Sequence, residues 1–214
     1  MEIKKLLAAL KDAFFPVGIT CNACGAELSE SEREFSLCRS CEEKLVKTKP
    51  AKYGEITVYS RFHYESVARK YVLDYKDSDK PYIALYMAKY LYEAYAEYGL
   101  EADSVCYVPS SPAALKRRGY DGMEIAAEEF SVLSGVKIES RLFRKDGIDQ
   151  TKLRAEERAE NVKGKFLSRG GFSGTVLLLD DVVTTGATLK ECSDVILRHG
   201  ADKVICLTFA KARE

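Results

Sequence analysis

The sequence has no net charge and no long apolar run, and each absence excludes a class of partner. Thirty-three basic side chains offset thirty-three acidic ones. No global field therefore draws the protein to nucleic acid or to an anionic membrane, and any polyanion site has to be local. No stretch approaches the roughly 20 apolar residues of a spanning helix. The opening segment MEIKKLLAALKDAFFP is broken by Lys11 and Asp12 and lacks a small-residue cleavage site, so neither a signal peptide nor a membrane span is expected. Its Ile3, Leu6, Leu7, Leu10 and Phe14 keep helical spacing as far as Pro16, the pattern of a docking helix. The expected location is the cytoplasm. Also missing is the Gly-Lys-Ser/Thr ending of a Walker-type nucleotide loop. What is present is a 214-residue chain, 46% hydrophobic and 31% charged, long enough for one large core or one core with a small appendage.

Seven cysteines is an odd number, and four of them, Cys21, Cys24, Cys38 and Cys41, follow C-x2-C-x13-C-x2-C. Two such knuckles can set four thiolates at the corners of a tetrahedron about 2.3 Å from a zinc ion. Disulfides are the competing arrangement. With nothing marking the chain as secreted, the spacing favours metal. Four sulfur ligands leave no open position, so the zinc is expected to be structural and to contribute much of the folding energy of residues 1–50. Cys106, Cys192 and Cys206 sit within apolar patterns and are expected to be buried free thiols.

After the linker-like EKLVKTKPAKYG, residues 51–100 read as a strand and two helices, a helical hood. Tyr82, Tyr86 and Tyr90 recur every four residues, a stripe expected to pack against a neighbour rather than to stack bases. From 101 to 214 the rhythm changes. The short apolar segments SVCYV, VKIESRLF, TVLLLD and KVICLTFA are interleaved with the helical patterns DGMEIAAEEFSVLSG and TLKECSDVILRHG. The fold class is therefore α/β, a parallel sheet flanked by helices. The charged interval from Arg144 to Gly174 reads as a long functional loop.

In TVLLLDDVVTTGATLKEC a buried strand delivers Asp180 and Asp181, then Thr184, Thr185, Gly186, Ala187 and Thr188, to the start of a helix. Ligands of open α/β sheets bind beyond the carboxyl ends of the strands. Unpaired amides at a helix N-terminus seat a phosphate, and threonine hydroxyls can donate to it. Carboxylates instead accept from sugar hydroxyls or hold magnesium through water. A ribose 5-phosphate satisfies both halves. A plain helix cap is the competing explanation, but a cap needs one such residue and this junction has two acids and three threonines.

These residues resemble the phosphoribosyl-pyrophosphate (PRPP) signature of type I phosphoribosyltransferases. The four-cysteine block, YVPSSPAALKRRGYDG and DQTKLRAEERAENVKGKF narrow the resemblance to the ComF family, associated with competence and DNA uptake. The resemblance implies that Asp180 and Asp181 bind the ribose hydroxyls and that 184–188 bind the 5-phosphate. Pro109, Ser110 and Ser111 would face pyrophosphate, with Lys76, Arg118 and Arg158 as its cations and magnesium as cofactor; Lys116 and Arg117 are further candidates. Where the family usually reads Arg-Gly-Phe-Asn-Gln, this chain has Arg118, Gly119, Tyr120, Asp121 and Gly122, which removes two neutral donors and adds a negative charge. Two functions follow. One is a magnesium-dependent phosphoribosyltransferase whose acceptor is unassigned. The other is a non-catalytic module of DNA uptake that contacts single-stranded DNA or a competence helicase, motivated by the zinc knuckles and by nine basic against five acidic residues from Arg141 to Arg169.

Overall fold

The computed structural model describes residues 19–77, 80–145 and 164–213; the N-terminal helical pattern expected over residues 3–16 falls outside them. A 3-10 turn (Ser31–Glu34) and the short helix α1 (Arg39–Glu42) carry the cysteine segment. The main sheet begins with a hairpin of β1 (Ala51–Tyr53) and β2 (Ile56–His63). Helices α2 (Ser66–Asp77) and α3 (Ile83–Glu97) follow, then β3 (Ser104–Tyr107), α4 (Pro112–Arg118), α5 (Gly122–Ser134) and β4 (Lys137–Ile138). Strands β5 (Leu142–Arg144) and β6 (Phe166–Ser168) pair antiparallel in a sheet of their own. The chain ends with β7 (Thr175–Val183), α6 (Ala187–Arg198) and β8 (Lys203–Lys211).

The six strands of the main sheet run in the order β1-β2-β8-β7-β3-β4, parallel throughout except for the β1–β2 hairpin. β2, from the segment assigned above to the hood, pairs with β8 and so belongs to this sheet. Alternation along β7 supplies both cores. Leu177 and Leu179 join the helices α2, α3 and α5 on one face, while Val176 and Leu178 join α6 and the β5–β6 ribbon on the other. This is the mostly parallel, helix-flanked α/β sheet that the sequence implies. Among the described residues no helix is long and apolar enough to cross a membrane.

The tyrosine stripe of α3 packs, as its spacing indicates. Tyr90 is buried against Phe35, Phe62 and Phe209, with ring centroids 4.5 to 5.9 Å away. Tyr71 donates to the Phe35 carbonyl and Lys89 to that of Glu34, so the cysteine segment is seated on α2 and α3. Its Cys21, Leu28, Leu37 and Cys41 belong to the same apolar core as those helices.

Three local expectations need correction. VKIESRLF is not one strand: β4 extends the main sheet, whereas β5 leaves it after a tight turn in which the Arg141 amide bonds to the Glu139 carbonyl. The interval from Arg144 to Gly174 is not all loop, because Phe166–Ser168 pairs with β5. The acid pair does not follow β7 but lies within it, since Asp180 pairs with Thr208 and the ladder continues to Val183 and Lys211.

Candidate active site

The acid pair and the threonine loop occupy the carboxyl edge of the sheet, where the crossover geometry of α/β folds leaves a crevice. A cleft of about 450 Å³ opens there, lined by Asp180, Asp181 and Thr188 on one side and by Pro109, Ser110, Ser111, Arg117 and Arg118 on the other, with Lys76 and Arg144 at its rim. Thr184, Thr185, Gly186 and Ala187 line an adjoining small pocket with Asp180 and Thr188. A larger cleft of about 800 Å³ lies at the opposite, amino edge, between Ile56, Tyr98, Leu197 and Lys203. It holds neither the acid pair nor the threonine loop, so volume alone does not identify the site. Lys116 is not among the residues lining the carboxyl-edge cleft. Arg158, with Gln150, Leu153 and Asn161, lies outside the described residues.

Asp180 and Asp181 are adjacent, and the Asp181 amide donates to Asp180 Oδ1 at 2.8 Å. Burial, and then the Asp181 charge beside it, push the Asp180 carboxyl up to about 8, with Lys76 opposing. Near neutral pH Asp180 is therefore largely protonated. Lys76, at the end of α2, bonds Asp181 Oδ1 at 2.8 Å. Burial alone would lower this lysine, but the charge and hydrogen bond of Asp181 outweigh it and raise Lys76 above its ordinary value. Lys76 thus lines the cleft as the counter-ion of an acid expected to hold sugar.

The helix-cap explanation of the threonines does not hold. Gly186 is the N-cap residue of α6, with φ +75°, and no side chain caps the helix there. Thr185 Oγ1 only approaches the Ala187 amide, at 3.4 Å, while Thr184 and Thr185 stay exposed. Apart from that contact at Ala187, the first-turn amides are left to water or to an anion. A Cβ on Gly186 would lie 2.6 Å from that of Tyr53. Gly186→Ala is expected to cost about 1–3 kcal/mol from backbone conformation alone, and more from the clash, read as a lower urea midpoint; an unchanged midpoint would contradict the turn geometry.

Across the cleft, Ser111 caps α4 by accepting from the Ala114 amide, and Pro112 takes the first helical position. The Ser-Pro start and the Gly119 stop are the sequence signals for this helix. Ser110, expected to face pyrophosphate, lines the cleft, and its amide and hydroxyl both donate to Asp121, at 2.8 and 2.9 Å. The added acid at 121 is itself buried and fully used. Gly122 is equally constrained, because a Cβ there would meet the Tyr75 ring at 2.4 Å. Arg144 and Met123 line the cleft without having been singled out.

The four cysteine sulfurs lie within 4.8 Å of one another, and those of Cys24 and Cys38 are 3.7 Å apart. A tetrahedral zinc with 2.3 Å bonds requires sulfurs about 3.8 Å apart, so the residues fit a structural zinc. Gly25, at φ +77°, shapes the first knuckle, where its amide bonds to the Cys21 carbonyl. Burial opposes ionisation of Cys21, but backbone amides at Cys38, Cys24 and Ala23 bring its thiol down to about 7. Burial and the neighbouring thiols raise Cys41. A bound metal would ionise all four.

No protein-family model matches the chain. It is similar to competence protein F of Haemophilus influenzae, 29% identical over 102 residues, which are 45% of this chain and 44% of that one. The ComF resemblance carried by the motifs is thus met in a curated relative, of which the chain spans less than half. Among solved structures it is similar to an allosteric regulatory enzyme of purine biosynthesis (20% identity, TM-score 0.40, covering 59% of this chain and 26% of that one). It is also similar to glutamine PRPP amidotransferase from B. subtilis complexed with ADP and GMP (21%, TM-score 0.39, covering 58% and 25%).

Proposed function

We propose that the carboxyl-edge cleft binds PRPP or another ribose 5-phosphate compound, and that the chain is a magnesium-dependent phosphoribosyltransferase of unassigned acceptor. The observation that carries this reading is the pairing, at one strand edge, of two carboxylates with an uncapped helix start, facing a turn and a helix that bring Arg117 and Arg118 into the same cleft. Asp180 and Asp181 would accept the ribose hydroxyls, the amides and hydroxyls of 184–188 would hold the 5-phosphate, and Ser111 and Arg118 would border the pyrophosphate. Arg158, by its motif, would join them. The acid pair fits a magnesium ion bound through water, and that ion would supply charge to the leaving pyrophosphate. The chain's own work is to fix the sugar and surround the departing charge, because displacement at an anomeric carbon needs positioning more than covalent help. The cytoplasmic assignment belongs to this reading, as do the thiols Cys106, Cys192 and Cys206, which are free and buried.

Calorimetry tests it. Wild-type protein should release or absorb heat with PRPP and magnesium. Asp181→Ala should bind ribose 5-phosphate roughly a hundredfold more weakly, the loss of charge-assisted hydrogen bonds, yet bind inorganic pyrophosphate more tightly, because Lys76 is released from its partner. Absence of heat from the wild type, or equal affinities in the variant, would refute the assignment.

The β5–β6 ribbon favours a second reading, a module of DNA uptake that contacts single-stranded DNA or a helicase partner. Arg169 stacks on Phe143 at 4.8 Å, Arg144 on Phe166 at 5.5 Å and Arg141 on Phe172 at 5.9 Å. Phe166 and Phe172 are buried, so it is the arginines, with Phe143 beside them, that suit the backbone of a single strand. Binding of an oligonucleotide should then weaken steeply between 50 and 200 mM salt, roughly as in other polyphosphate contacts; a flat response counts against it.

A further inference from the structure

Asp121 places both oxygens on groups that border the cleft. Oδ2 accepts the Ser110 amide at 2.8 Å, and Oδ1 accepts the Ser110 hydroxyl at 2.9 Å and the Met123 amide at 3.1 Å. Arg118 Nη2 donates to the same hydroxyl oxygen at 2.8 Å, while its Nε is buried without a partner. Asp121 is only 7% exposed. Ser110 is the middle of the Pro109–Ser111 turn that walls the cleft, and both of its hydrogens are taken by a carboxylate, an anion belonging to the protein itself.

Capping does not account for this. The cap of α5 uses one oxygen and the Met123 amide; the second oxygen, and everything done to Ser110, are additional. The arrangement is anchored, since Gly122 abuts the Tyr75 ring and Tyr75 precedes Lys76 on α2. The start of α5 cannot retreat without moving that lysine.

We propose that Asp121 is a positioning residue that latches the Pro109–Ser111 turn, competing with the diphosphate of a ligand for the Ser110 donors and so setting affinity at the pyrophosphate side of the cleft independently of the sugar side. The inference rests on the PRPP reading. An asparagine at 121 would keep the cap through its oxygen, but its amide would oppose the Ser110 N–H, donor against donor, and that peptide would turn toward the cleft. The substitution also removes a negative charge near a polyanion subsite.

The test compares wild type, Asp121→Asn and Asp121→Ala by calorimetry with magnesium pyrophosphate and with ribose 5-phosphate, and by amide hydrogen exchange at Ser110. The asparagine variant should bind pyrophosphate about tenfold more tightly, the worth of one charge-assisted hydrogen bond, bind ribose 5-phosphate unchanged, and exchange the Ser110 amide faster. The alanine variant should show the same release with a lower melting temperature, because it also loses the cap. Equal or weaker pyrophosphate binding in a folded asparagine variant overturns the latch, as does unaltered exchange at Ser110. If ribose 5-phosphate binds while pyrophosphate is indifferent to residue 121, the latch alone fails. If no variant binds either ligand, the PRPP reading fails and the competition with it, and faster exchange would then leave Asp121 a purely structural tie.

Discussion

Replacing Cys41 with serine is expected to release the zinc and unfold most of the protein, not only its cysteine segment. Structural zinc contributes about 10–16 kcal/mol to small metal-folded units, while a whole domain is stable by about 5–15 kcal/mol. Losing even part of the first quantity consumes the second if the two are coupled, and the packing couples them. Cys41 is buried, it shares a core with Leu37 and with the helices α2 and α3, and Phe35 stacks on Tyr90 in the middle of that core. Metal release and loss of helical signal should therefore coincide in one transition, with a melting temperature lower by more than about 10 °C. One equivalent of zinc in the wild type and none in the variant completes the expectation. A variant that keeps its zinc, or that loses it while the helices melt at the original temperature, would show that the four thiolates do not organise this core.

Asp180→Asn is expected to change stability and binding in opposite directions. The native carboxyl titrates at about 8, against an ordinary value of 3.8. Between those values the folded state binds more protons than the unfolded one, so wild-type stability falls as pH rises through that window and the loss is complete above about pH 8. Asparagine resembles the protonated acid and removes that slope. Urea denaturation at pH 5 should find the two proteins alike, and at pH 9 the variant more stable. Above about pH 8, where the wild-type acid is ionised, the same substitution removes an acceptor for the sugar, so affinity for ribose 5-phosphate should there drop by roughly tenfold or more. In the wild type that affinity should instead rise with pH as Asp180 ionises. Parallel stability profiles, or binding indifferent to pH, would mean that the acid is not held protonated.

Much of this site was legible in the chain because its pieces are local. Two acids, three threonines and a glycine fall within nine positions, and the strand-to-helix change of period shows where they sit. The four-cysteine spacing is local in the same sense. The unread parts join distant segments. Lys76 and Asp181 are 105 residues apart, and each was assigned to a different part of the ligand because nothing in the sequence shows that they neutralise each other. Asp121 looked like a charge added to a polyanion site, since the hydrogen-bond demand of Ser110 appears only when the turn is folded. The pairing of β2 with β8 is likewise fixed by how the helices cross the sheet, not by residues in either strand. VKIESRLF misled for a simpler reason: no glycine or proline interrupts it, while the chain leaves one sheet for another at Glu139 to Arg141.

The order of the strands also bears on how copies of this chain meet. The two nine-residue strands lie inside the main sheet; one margin is β1, three residues long, with Val46, Lys47 and Thr48 bridging farther along β2, and the other is β4, two residues long. Margins so brief offer a foreign strand too few main-chain partners to dock edge to edge. Self-association through this sheet is thereby discouraged, and an assembly of such chains would have to be built from helix faces and loops.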